Sequence, residues 1–209
     1  MNLDSPRRKA TQRAPQSRAL KSQLREVVRA QILDAAEELI AARGLHGAAL
    51  AQIARKAGVA VGTLYNYFAD RDAMIRALFD ARRAVLRPKL LAAVDAGAGL
   101  EFEPRLRAVV RALFDVFEEH RRFIKVSMET EHTKIAPSTM AADLGAAIEQ
   151  LIAAGVAEKA LAPAPGKLLV PVILGAMKAI IMKRIVDGTS FGADADVLVS
   201  IFLDGARKR

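Results

Sequence analysis

Three groups of residues in this 209-residue chain bring together side chains able to do chemistry. Gly62, Thr63, Tyr65, Asn66 and Tyr67 fall in one short run, with Arg71 just beyond it. Their hydroxyls, amide and guanidinium can hydrogen-bond to base edges and phosphate oxygens, and the glycine lets the backbone approach closely. Gly188-Thr189-Ser190-Phe191-Gly192 matches the Gly-x-Ser-x-Gly pattern of a nucleophile elbow. Glu119, His120, Glu129, Glu131 and His132 offer oxygen and nitrogen ligands for a metal.

The second and third groups fail on what their chemistry requires. A nucleophile elbow needs a strand before it and a histidine later in the chain, whereas Ser190 lies between two helical patterns and no histidine follows His132. A hydrolase acting through Ser190 is therefore the remote reading. No pair among the acidic and histidine residues stands at a recognised ligand spacing with a second histidine, so they read as surface or cavity-rim residues. His120 could hydrogen-bond a bound molecule. With no cysteine, thiolate sites and disulfides are excluded, and neither metal nor cofactor is expected.

The first group survives because the surrounding pattern positions it. Leu50, Ile53, Ala54 and Ala57 recur on one helical face, and Gly58 follows where a left-handed residue would end that helix. After a tight turn, Val61, Leu64 and Phe68 share a second face that can close over Ile53 and Ala54. Thr63, Asn66 and Tyr67 are left facing outward, on a helix of small profile at its start. Such a helix suits the DNA major groove, although the same hairpin geometry occurs in proteins that never meet DNA.

Ile53-Ala54, Ala57-Gly58-Val59, Gly62-Thr63-Leu64-Tyr65-Asn66-Tyr67-Phe68 and Arg71-Asp72 together resemble the motif of the TetR/AcrR family of bacterial transcription regulators. The likeness runs from about Val28 to Leu78. It implies an all-helical homodimer that reads a palindromic operator in double-stranded DNA and releases it on binding a small-molecule effector. Two departures stand out. Ala48-Ala49 and Ala60 occupy positions where the family usually has hydroxyl residues, so the second and third helices lack side-chain caps worth typically about 1 kcal/mol each. Arg71 stands where the family commonly has lysine, and the resemblance implies that it holds a phosphate.

Composition agrees with a helical protein. Hydrophobic residues make up 52% of the chain, and no period-2 alternation is long enough for a strand. The net charge of +9 is uneven: residues 1–87 hold 16 Lys/Arg against 8 Asp/Glu, and residues 88–209 hold 16 against 15. A positive balance concentrated on the hairpin favours a nucleic-acid partner. The first twenty residues have no apolar segment of the secretory kind, and the most apolar run, Leu168 to Met182, is broken by Pro171 and Lys178. A cytoplasmic protein with no membrane partner is the expectation.

The expected fold is all-α: an N-terminal three-helix unit followed by a helical bundle, with about nine helices in all. Residues 1–21 read as a disordered basic arm, 22–70 as the DNA-binding unit, and 71–209 as an effector-binding and dimerisation domain. Helix one should span about Ser22 to Arg43, and helix four should begin after Asp70 and break or kink at Pro88. Leu106, Val109, Val110, Leu113, Phe114 and Phe117 trace a clear apolar stripe, and a later helix carrying Leu144, Ile148, Leu151 and Ile152 should stop at Gly155.

Lys167 to Val186 is apolar on nearly every side, so it should pack on its own core and on a partner subunit. Val172, Ala176 and Ile180, with Val197, Leu198, Ile201 and Phe202 of the last helix, are the expected dimer interface. Phe114, Phe117, Phe123, Met128, Met177, Ile181 and His120 are the candidate walls of an apolar effector cavity. A DNA-bound structural or cell-division factor on the same scaffold, needing no effector, is the alternative.

Overall fold

The computed structural model describes residues 13–130, 140–162, 166–192 and 194–206. Among these the regular structure is helical: α1 (Arg13–Gly47), α2 (Leu50–Lys56), α3 (Val61–Tyr67), α4 (Arg71–Val94), α5 (Phe102–Glu119), α6 (Arg121–Thr130), α7 (Met140–Ala157), α8 (Gly166–Asp187) and α9 (Asp194–Ala206). No helix among the described residues is long and apolar enough to cross a membrane. The chain divides into two compact units between Ile75 and Arg76, within α4.

In the first unit, Ile32, Leu33, Ala36 and Ile40 of α1 are buried with Ile53 and Ala54 of α2, Leu64 of α3, and Phe68. α1 starts at Arg13, earlier than its periodicity indicates, so part of the expected arm is helical; residues 1–12 lie outside the described residues. Pro15 falls in the first turn, where an N–H has no intrahelical partner to lose. The helix breaks at Gly44, whose φ of 77° is open to glycine at little cost.

In the second unit, the stripe on α5 is buried throughout, from Leu106 to Phe117. Phe123 and Val126 of α6, Ile148 and Ile152 of α7, Ile173 and Met177 of α8, and Leu198, Val199 and Phe202 of α9 are buried as well. One expectation about a helix end is corrected, and of the two outcomes expected at Pro88 the break does not occur. α4 runs through Pro88 without stopping; the proline and Ala84, whose carbonyl loses its partner, are both exposed, so water can satisfy the vacant acceptor. α7 continues past Gly155 to Ala157 because that glycine is buried against Phe102 rather than ending the helix. On α4, Val85 is exposed, and Leu86 and Leu90 are buried.

Candidate nucleic-acid interface

α2 ends as its sequence predicts: the Ala57 N–H reaches the Ile53 carbonyl at 2.9 Å, and Gly58 takes φ 70°. The chain then turns into α3. Neither helix has a side-chain cap, since Ala49 and Ala60 precede them, and their first turns are closed by backbone bonds such as Leu64 N–H to the Ala60 carbonyl at 3.2 Å. Leu64 and Phe68 anchor α3 inward. Val61, expected to help close the core, is instead 40% exposed.

The outer side of α3 carries the predicted polar group. Gly62, Tyr65 and Asn66 are exposed, while Thr63 and Tyr67 are half-buried. The half-burial has a cause in α1. Arg25 stacks its guanidinium 5.6 Å from the centre of the Tyr67 ring and directs an N–H toward the Asn66 carbonyl at 3.5 Å; one turn later Arg29 stands 5.6 Å from the Phe68 ring. Lys21, Leu24, Arg25 and Val28 of α1 line a groove with Thr63, Asn66 and Tyr67 of α3. Of these α1 residues, Lys21 falls in the expected arm, because the segment up to it has the composition of a tail, and the others lie in the expected helix one. The usable signal was the spacing of Lys21, Arg25 and Arg29, which puts all three on one helical face.

Arg71 departs from expectation. Its guanidinium donates to the Ala48 carbonyl at 2.7 Å and to the Leu45 carbonyl, both at the chain's passage from α1 to α2. The planar fork that would suit a phosphate instead holds two backbone acceptors inside the unit. Asp70 caps α4 as read from sequence, accepting the Ala73 N–H at 2.6 Å.

The remaining candidates lie in the second unit. Phe114, Phe117, Phe123, Met177 and Ile181 are buried side chains of its core, and Met128 and His120 are half-buried. On α8 and α9 the expected interface residues divide. Val172, Val197 and Ile201 are 57%, 58% and 67% exposed; Ala176 and Ile180 are half-buried; Leu198 and Phe202 turn into the protomer's own core. Leu168, Met182 and Val186 are also exposed, so α8 is not buried all round within one chain.

Ser190 sits in the turn between α8 and α9, following a helix where an elbow requires a strand. Glu118 accepts the Phe191 N–H at 3.0 Å and a bond from Ser190, and Arg121 donates to Glu118 at 3.0 Å and to the Thr189 carbonyl at 2.6 Å. Phe191 is fully buried beneath the Arg121 guanidinium. These contacts tie the turn to α5 and α6. Among the described residues no set of acidic and histidine side chains is gathered for a metal; Glu131 and His132 lie outside them.

A capless helix pair joined by a glycine turn, packed on a longer first helix and presenting tyrosine, asparagine and threonine outward, defines a helix-turn-helix unit of the DNA-reading kind at the head of an all-helical chain. Residues 32–78 match the family described as bacterial regulatory proteins, tetR family.

Curated relatives include the HTH-type transcriptional regulator BetI of Escherichia coli, 36% identical over 92 residues, and that of Paraburkholderia phytofirmans, 39% identical over 94. In each case the match spans 44% of this chain and 47% of the relative, about half the length of these curated proteins. Solved structures share the fold more widely. A TetR-like transcriptional regulator from Rhodococcus sp. RHA1 superposes with TM-score 0.69 at 23% identity, covering 86% of this chain and 95% of its own. The transcriptional regulator FadR from Bacillus subtilis, solved in complex with stearoyl-CoA, gives 0.64 at 18%, covering 84% and 97%.

Proposed function

We propose that this protein is a sequence-specific transcriptional regulator, acting in the cytoplasm as a homodimer on a palindromic operator and released from it by a small apolar or amphipathic molecule. The observation that carries the reading is the presentation of Gly62, Tyr65 and Asn66 on the open side of α3, while Leu64 and Phe68 fix that helix from within. Asn66 is suited to base edges, and Thr63, Tyr65 and Tyr67 to bases or nearby phosphates. Two readers held by one dimer would address half-sites about one helical turn apart, roughly 34–36 Å, or at a wider spacing.

Exposed Val172, Val197 and Ile201 support a dimer formed through α8 and α9. An effector would act by favouring a state whose readers no longer match the groove spacing, which lowers affinity by the difference in DNA binding between the two states. The buried aromatic and methionine side chains of the second unit supply walls of the right chemistry. The shared fold with a regulator solved with stearoyl-CoA makes a long-chain acyl-CoA the first effector to test.

The test is selection from a random duplex pool, followed by anisotropy titration of the enriched sequence with and without acyl-CoAs and other amphipathic ligands. An enriched palindrome released by one ligand class is the expected result. Enrichment of no sequence would defeat the reading.

A further inference from the structure

We propose that the groove between the N-terminal half of α1 and the outer side of α3 is a binding site for a backbone phosphate of duplex DNA, with Lys21 and Arg25 as its cationic ligands. The proposal rests on the DNA-binding reading above and extends it to the part of α1 that precedes residue 32, where the family match begins.

The chemistry of the lining carries the assignment. Lys21, Arg25, Thr63, Asn66 and Tyr67 can each donate a hydrogen bond, and no carboxylate lines the groove. Leu24 and Val28 supply an apolar floor of the kind a deoxyribose can rest on. Lys21 is exposed, and Arg25 meets only a ring face and a backbone carbonyl, so among the described residues neither cation is neutralised by an acid. Position completes the case. Thr63, Asn66 and Tyr67 belong both to this groove and to the outward side of α3, so a duplex that receives α3 in its major groove brings the flanking strand's phosphates to Lys21 and Arg25.

The two cations have different work. Lys21 acts as a point charge at the groove's rim. Arg25 also braces Tyr67 through its stacked guanidinium, so it is a positioning residue for α3 as well as a phosphate ligand.

The experiment uses the full chain and its selected operator, with Lys21→Ala and Arg25→Ala compared against the wild type. Each protomer that loses its Lys21 contact should lower the slope of log affinity against log salt by about 0.9, with the preference for operator over scrambled duplex unchanged. Arg25→Ala should lower the slope and also relax that preference, because Tyr67 loses its brace. Methylphosphonate substitution, one phosphate at a time, then locates the contact: the position that weakens the wild type should have a smaller effect in Lys21→Ala, where only Arg25 still meets that phosphate.

Equal salt slopes and equal methylphosphonate profiles in wild type and Lys21→Ala, with circular dichroism unchanged, would overturn the assignment while leaving the regulator intact. A wild type that binds no duplex at low salt would remove the DNA reading itself. If inorganic phosphate bound at Lys21 without competing with the operator at matched ionic strength, the groove would be a site for free anions, and the assignment to duplex DNA would fail.

Discussion

Gly155 of α7 faces the ring of Phe102 so closely that a Cβ on it would stand 2.6 Å from the ring's Cδ2. Phe102 is itself 2% exposed, at the start of α5, and has little room to retreat. Gly155→Ala is therefore expected to destabilise the protein by about 1–3 kcal/mol through overpacking. Urea denaturation checks this, and the double variant with Phe102→Leu should lose less than the sum of the two single changes, since each relieves the other.

Arg71 should reveal its role without DNA present. Removing it takes the Arg71 donor from the carbonyl of the buried residue Ala48, and an unsatisfied buried acceptor costs about 1–3 kcal/mol. Arg71→Ala is expected to lower the unfolding midpoint of the free protein, and Arg71→Lys to restore it only in part because an ammonium lacks the fork. A residue serving phosphate alone would leave the free protein's stability unchanged. Asn66→Ala, in contrast, should leave stability alone and relax base preference in the selected operator.

Self-association is the expected consequence of the uncovered side chains on α8 and α9. Ile201→Glu or Val172→Glu should shift the protein from dimer to monomer in sedimentation equilibrium, whereas Leu198→Glu should unfold the protomer because Leu198 lies in its own core. A wild type that sediments as a monomer at tens of micromolar would contradict the homodimer.

Acid should weaken the second unit. Arg184 holds the Asp194 carboxyl below its usual range by a direct hydrogen bond, and Arg111 does the same for Asp196. At Glu118 burial pushes the other way, but the Phe191 N–H and the Arg121 guanidinium outweigh it and the net shift is downward. A carboxyl lowered in the folded state contributes stability that is complete above its unfolded value, about pH 4, and is lost as pH falls through the lower folded value. Urea midpoints should therefore hold from neutral pH to about 5 and decline below 4, with a smaller decline in Asp194→Asn.

The elements that were legible in the sequence are those whose causes are local. Ile53, Leu64 and Phe68 repeat at helical spacing, Gly58 ends α2 in the conformation only its own backbone needs, and Asp70 caps the helix three residues on. What escaped depended on distant partners. Gly155 looks like a helix stop until Phe102, far back in the chain, is placed beside it. Pro88 looks like a break until both it and Ala84 are seen to face water. Arg71 looks like a free cation because its acceptors belong to the end of α1 and the passage to α2, and Lys21 looks like the end of a tail until α1 is followed back to Arg13 and joins it to Arg25 and Arg29 on one face. In the bundle, an apolar stripe reports that a residue is covered but not by what, so Leu198 and Ile201 read alike although one is covered by its own protomer.

The Arg71 clamp also bears on where the DNA-reading unit can be cut from the chain. The third helix ends at Tyr67, and Asp70 is the obvious last residue for an isolated fragment. A fragment ending there would lack the guanidinium that ties the close of α1 to the entry of α2, together with Met74 and Ile75, which are almost wholly buried. One carried on to Leu78, the last residue of the family match, retains all three. The autonomous reader is thus three helices and the opening turns of a fourth, and its boundary lies inside a continuous helix rather than in a linker.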